Sequence, residues 1–140
     1  MTAVGTGAAI FGCAGPVLLA EERAFFRDCD PFAFILFARH VETPGQLRRL
    51  TADLRDAVGR EAPVLVDQEG GRVQRLRAPY WREWQPPLET VAGCASLDLA
   101  ARAMRLRMRI IAAERRQLRP RRRCGARRHA PFPEEPLLWH

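Results

Sequence analysis

The chain has 140 residues, of which 47% are apolar, and a formal charge of +7. That length holds one modest domain. The charge is unevenly placed: residues 1–114 carry 15 Arg against 14 acidic side chains, and residues 115–140 carry 8 Arg against 2. The basicity therefore belongs to the tail, and a chain without a single lysine is a poor match to a surface built to hold phosphates. The longest apolar run, "AAIFGCAGPVLLA" (8–20), is broken by Gly and Pro and falls short of the roughly 20 residues that cross a bilayer. No basic segment precedes a cleavage site, so neither a membrane association nor secretion is expected and the expected location is cytoplasmic. Cys13, Cys29, Cys94 and Cys124 show no CxxC pairing and no histidine at ligand spacing; they read as free thiols, with no metal site expected.

In chain order, "AAIFGCAG" (8–15), "FAFILFAR" (32–39) and "APVLVDQEG" (62–70) are short apolar runs bounded by turn residues. Such runs predict strands buried on both faces. Between the second and third lies "TPGQLRRLTADLRDAVG" (43–59), with Leu47, Leu50, Leu54, Ala57 and Val58 at helical spacing. Thr43 sits at the N-cap, Pro44 opens the helix and Gly59 stops it. A second helical pattern is read over 88–114, with Leu97, Ala101, Met104, Met108 and Ile111 on one face. Alternating strands and helices predict an α/β fold with a parallel sheet or barrel. In such folds the functional polar groups stand at the carboxyl ends of the strands, and Asp67 ends the third run.

Behind that strand stands "LVDQEGGRVQRLRAP" (65–79). Together with "ILFARHVETPGQLRRLTADLRDAVG" before it, this string resembles the glycoside hydrolase family 3 β-N-acetylglucosaminidases that recycle bacterial peptidoglycan. The resemblance runs from about residue 7 to 114 and implies the N-terminal part of a (β/α)8 TIM barrel, truncated after about three strands. It further implies that Asp67 accepts hydrogen bonds from sugar hydroxyls and that Arg75 reaches the same pocket. The chemistry suits both residues, because a carboxylate holds two hydroxyls while a guanidinium presents a planar fork of donors. Glu69, Gly70, Gly71 and Arg72 support the motif, the glycines by letting the chain turn off the strand without a Cβ. An alternative for Asp67 and Arg75 is a buried ion pair beneath the loop that touches no ligand. Glu69 and Arg72 could pair with each other or brace neighbouring loops, Arg77 reads as a solvated surface charge, and His40 as a rim residue without an assigned role. "PYWREWQPP" (79–87) either offers stacking surface to a sugar or caps a barrel end.

The implied partner is an N-acetylglucosamine-containing glycan or muropeptide, cleaved in the family by a retaining mechanism that needs no metal or organic cofactor. The family's nucleophilic Asp and the His of its "KHFPGHG" loop have no counterpart in this sequence, so no catalytic residue is assigned and the chain is expected to be inactive alone. Residues 115–140, rich in Arg and Pro, are expected to be disordered and out of frame. Reread with suitable synonymous codons in a shifted frame, they give "DVNCAPVADVARADTHPFLRNRCYGT", which resembles the family's continuation. A small deletion near Glu114 would explain it. Unpaired barrel edges would then favour self-association. The competing reading, a nucleic-acid-binding module using the Arg-rich tail, lacks aromatic residues interleaved within 115–130.

Overall fold

The computed structural model describes residues 7–116. Its elements are β1 (Gly7–Phe11), α1 (Ala20–Cys29), β2 (Pro31–Leu36), a 3-10 turn at Ala38–His40, α2 (Pro44–Val58), β3 (Val64–Val66), β4 (Gln68–Gly70), β5 (Val73–Gln74), α3 (Pro87–Ala92) and α4 (Leu97–Arg116). From residue 117 onward the tail read from the sequence lies outside the described residues.

Strands β1, β2 and β3 form a parallel sheet in that order. Phe11 stands beside Phe34, and Phe34 beside Val64. Parallel neighbours require a crossover, supplied by α1 and α2 in turn. Helix α2 forms as its termini dictate: Thr43 accepts the Gln46 amide at 3.1 Å on its hydroxyl, Pro44 follows, and Gly59 closes the helix at φ 66°. Its apolar stripe, Leu47, Leu50, Leu54 and Ala57, is buried with Phe34 and Leu36 of the sheet. Each of these leucines and Phe34 contributes roughly 1.5–3 kcal/mol by leaving water.

Helix α1 was not legible in the sequence. Its start is held by Glu22, whose carboxylate reaches back to the amides of Leu19 (3.0 Å) and Ala14 (2.6 Å), instead of by a Ser or Thr cap. Of its side chains only Phe26 is buried, set edge-on to Phe34 at 5.1 Å. Asp30 ends it in the left-handed region at φ 38°.

Two expectations are corrected. The strands were expected to be covered on both faces, but Ile10 and Leu65 are exposed, so among the described residues the helices cover one face of the sheet. The pattern over 88–114 is two helices, because the chain turns at Gly93 and restarts where Ser96 caps α4 through the Leu99 amide at 3.2 Å. The buried stripe of α4 is Ala100, Arg107 and Ile111, while Leu97 and Met108 face outward. Among the described residues no helix is long and apolar enough to cross a membrane.

Candidate functional site

Because the three strands are parallel, the residues that follow them gather at one end of the sheet. Cys13 comes after β1, Phe37 after β2 and Asp67 after β3. His40 joins the first two. Its Nδ1 accepts the Phe37 amide at 2.8 Å, which places the proton on Nε2, and Nε2–H donates to the Cys13 carbonyl at 2.6 Å. Arg39 donates to that same carbonyl through Nε at 3.3 Å and a terminal nitrogen at 3.2 Å. The sequence reading of His40 as a rim residue is therefore corrected: it is completely buried and holds the ends of two strands together. Burial chiefly, with Arg39 beside it, pushes its pKa below the usual 6.5, although the bond to Cys13 opposes the shift. A lowered folded-state value means that the unfolded chain binds the extra proton first as pH falls. The stability contribution of neutral His40 is thus complete above about pH 6.5 and is lost as pH drops through the folded value. Denaturant unfolding from pH 8 to 5 should show this decline, and His40→Gln should flatten it.

Asp67 stands where β3 gives way to a tight hairpin. Strands β4 and β5 pair antiparallel, Gln68 opposite Gln74, across a turn at Gly71 and Arg72. Gly70 and Gly71 adopt φ of 105° and 61°, conformations that side chains with a Cβ resist. A Cβ on Gly71 would meet Pro86 Cγ at 2.7 Å, so close packing of the 79–87 loop also demands glycine.

Sequence reasoning missed the two glutamines that hold this hairpin. Buried Gln68 donates to the Leu76 carbonyl at 2.8 Å and accepts the Leu76 and Arg75 amides at 3.0 and 3.2 Å. Buried Gln74 donates to the carbonyls of Leu76 (2.8 Å) and Arg82 (2.7 Å) and accepts the Trp84 amide at 3.0 Å. An amide side chain both donates and accepts, so each glutamine satisfies backbone groups of both kinds. The available signal was their position on facing residues of the hairpin.

Arg75 pairs with Asp67 at 3.2 Å, from its terminal nitrogen to Oδ2. The pair is not buried: the two side chains remain 26% and 39% exposed. Asp67 Oδ1 has no partner among the described residues, and neither has the buried Nε of Arg75. The Arg75 guanidinium lies 6.0 Å from the Phe37 ring centroid, with that of Arg39 at 4.8 Å. On its other side Asp67 lines, with Glu69, Arg107 and the apolar side chains of α4, a cleft of about 410 Å³ that neither Arg75 nor Phe37 borders. The rim thus offers a carboxylate acceptor, a guanidinium donor and an aromatic ring close together, a set suited to a polar, hydroxyl-bearing ligand.

The remaining sequence-read residues fall as follows. Glu69 and Arg72 are exposed and form no ion pair with each other or with any other described residue. Arg77, read as a solvated surface charge, is exposed, and it also donates to the carbonyls of Gln74 (3.0 Å) and Gly71 (2.7 Å) and pairs with Glu83 at 3.1 Å. In the 79–87 loop Trp81 is buried in the core while Tyr80 is half exposed. Cys13, Cys29 and Cys94 are free thiols. Burial raises the pKa of Cys13, with Glu22 adding to it, which makes that thiol a poor nucleophile. Cys124 lies outside the described residues.

A parallel α/β sheet with its polar rim at the strands' carboxyl ends is the layout of α/β barrel enzymes. Similarity to known proteins narrows this further. No protein-family model matches the chain. It is 42% identical over 76 residues to a β-hexosaminidase of Pseudomonas aeruginosa, a match covering 54% of this chain and 23% of that protein. It is 37% identical over 89 residues to a β-hexosaminidase of Xylella fastidiosa, covering 64% and 26%. The chain thus spans about a quarter of the curated relatives it matches. In fold it is similar to NagZ from Neisseria gonorrhoeae in complex with N-trifluoroacetyl-D-glucosamine, with TM-score 0.69 and 28% identity over 82% of this chain and 35% of that one. A glycoside hydrolase family 3 β-N-acetylglucosaminidase from Paenibacillus gives TM-score 0.62 and 26% identity, over 79% of this chain and 20% of the other. The chain carries part of the glycoside hydrolase family 3 β-N-acetylglucosaminidase fold, and its three parallel strands are part of that family's TIM barrel. The resemblance read from the DQEGGRVQR string is borne out.

Proposed function

We propose that Asp67 and Arg75 are the sugar-holding part of a β-N-acetylglucosaminidase site, with Glu69, Gly70, Gly71 and Arg72 shaping the hairpin that carries them. The observation that supports this best is the partly open Asp67–Arg75 pair directly after β3. One carboxylate oxygen is held by the guanidinium, and the other remains to accept a hydroxyl. The substrate class is a terminal β-linked N-acetylglucosamine on a peptidoglycan fragment, met in the cytoplasm and cleaved in the whole enzyme with retention. The likeness to a structure described as a complex with N-trifluoroacetyl-D-glucosamine supports the sugar.

Retention requires a nucleophilic carboxylate and a proton-transfer group. Among the described residues the lone histidine, His40, has both ring nitrogens engaged and no access to a ligand. Asp67 is tied to Arg75. The function proposed for these residues is therefore binding, with hydrolysis by this chain alone at background. Two measurements test the reading. N-Acetylglucosamine added to isotope-labelled chain should move the amide signals of Phe37, Asp67 and Arg75 and leave α2 unmoved; no movement at those three residues sinks the sugar site. Turnover of an aryl β-N-acetylglucosaminide that disappears in Asp67→Ala would instead show the chain to be active. Among the described residues β1 and β3 are the edges of the sheet, and these are the surfaces through which copies of the chain would associate.

A further inference from the structure

Arg107 occupies a core position of α4 that the apolar pattern would give to a hydrophobic side chain. Its residue is 4% exposed, and among the described residues no carboxylate pairs with it. A guanidinium that has lost its water needs other partners. It finds three: the Glu69 carbonyl in β4, the Thr90 hydroxyl in α3 at 3.0 Å, and the face of Trp84, whose ring centroid is 5.2 Å away. These partners belong to three separate segments, and two of them bear on the hairpin behind Asp67. Gly71 donates its amide to the Trp84 carbonyl at 2.8 Å, so the loop stacked on Arg107 also holds the hairpin turn. Gly70 leaves the space that the guanidinium fills, for a Cβ there would overlap both Arg107 and the Gln85 carbonyl. Desolvation lowers the pKa of Arg107, in keeping with a cation held by neutral groups.

We propose that Arg107 is a positioning residue: its buried guanidinium ties α4, α3 and the Trp84 loop to the β4–β5 hairpin and so fixes where Asp67 and Arg75 stand. The sugar arm of this inference rests on the reading under Proposed function; the clamp itself does not. Hydrogen exchange of the full chain tests the clamp at the Gly71 amide, bonded to Trp84, and the Arg75 amide, bonded to the Asp67 carbonyl at 3.2 Å. In Arg107→Met both should exchange about tenfold faster, the loss of one charged hydrogen bond, while Leu50 and Leu54 in α2 stay as they were. Arg107→Lys should recover part of the protection, since an ammonium donates to the Glu69 carbonyl but lacks the planar fork. Thr90→Val, which removes one partner and keeps the guanidinium, should give a smaller effect at the same two amides and serves if Arg107→Met does not fold. Unchanged exchange at Gly71 and Arg75, or an equal rise at Leu50 and Leu54, overturns the proposal. N-Acetylglucosamine affinity, measured on the same proteins, should fall severalfold in Arg107→Met. Full affinity in that variant, where the unmutated chain binds, overturns the positioning role. Local loosening in a chain that binds no sugar would support the clamp and sink the sugar site.

Discussion

Phe34→Ala is expected to cost about 3–5 kcal/mol, the range for a fully buried aromatic side chain. Phe34 is 1% exposed, in the middle strand of the parallel sheet. Its ring meets Phe26 of α1 edge-on, and its backbone is paired on both sides, with Phe11 and with Val64. Truncation would remove one of the aromatic contacts that anchor α1, a helix whose one buried side chain is Phe26 and whose other ring contacts to the sheet run through Phe11. Total stabilities of small domains are about 5–15 kcal/mol, so the variant should lose its cooperative transition or move its urea midpoint far down. A midpoint unchanged within error would mean that this core is not formed.

The second large effect is on binding. Asp67→Asn should weaken N-acetylglucosamine binding by about 10- to 100-fold, which corresponds to about 1.5–3 kcal/mol for a hydrogen bond to a charged group. The substitution keeps the size of the side chain but replaces one acceptor oxygen with a donor and removes the charge opposite Arg75. Stability should change little, because the pair is partly exposed and such pairs contribute about 0–1 kcal/mol. Titration calorimetry with the melting curve as a control separates the two. An affinity loss accompanied by an equal fall in stability would point to a structural ion pair, the alternative weighed from the sequence.

The parts of this fold that were legible in the sequence are those fixed by local chemistry. Thr43, Pro44 and Gly59 mark the ends of α2 within single turns, and continuous apolar runs mark the strands, so both could be read along the chain. Asp67 could be placed because the end of an apolar run is also the end of a strand. What could not be read depends on groups that meet only after folding. The hairpin exists because Gln68 and Gln74 satisfy backbone groups in the 75–84 stretch, and no periodicity reports that. Helix α1 hides because a single buried residue makes no stripe and Glu22 caps it from inside. The face of α4 was misjudged because a charged residue takes a core position there, where pattern reading credits apolar side chains alone.

The Cys13 carbonyl, which receives His40 and Arg39 together, carries a consequence for how this rim can vary over evolution. Two neighbouring residues of the turn after β2 hold the chain just beyond β1, so these two loops are coupled in length. The loop from Gly15 to Leu19 has ties of its own, since the Pro16 carbonyl accepts from Gln46 of α2 and Leu18 is buried in the core. A single deletion between Phe37 and His40 would break the Phe37 and Cys13 bonds at once, releasing the wall of aromatic and guanidinium groups beside Asp67. Length is therefore constrained in both loops, although both are equally loop-like in sequence.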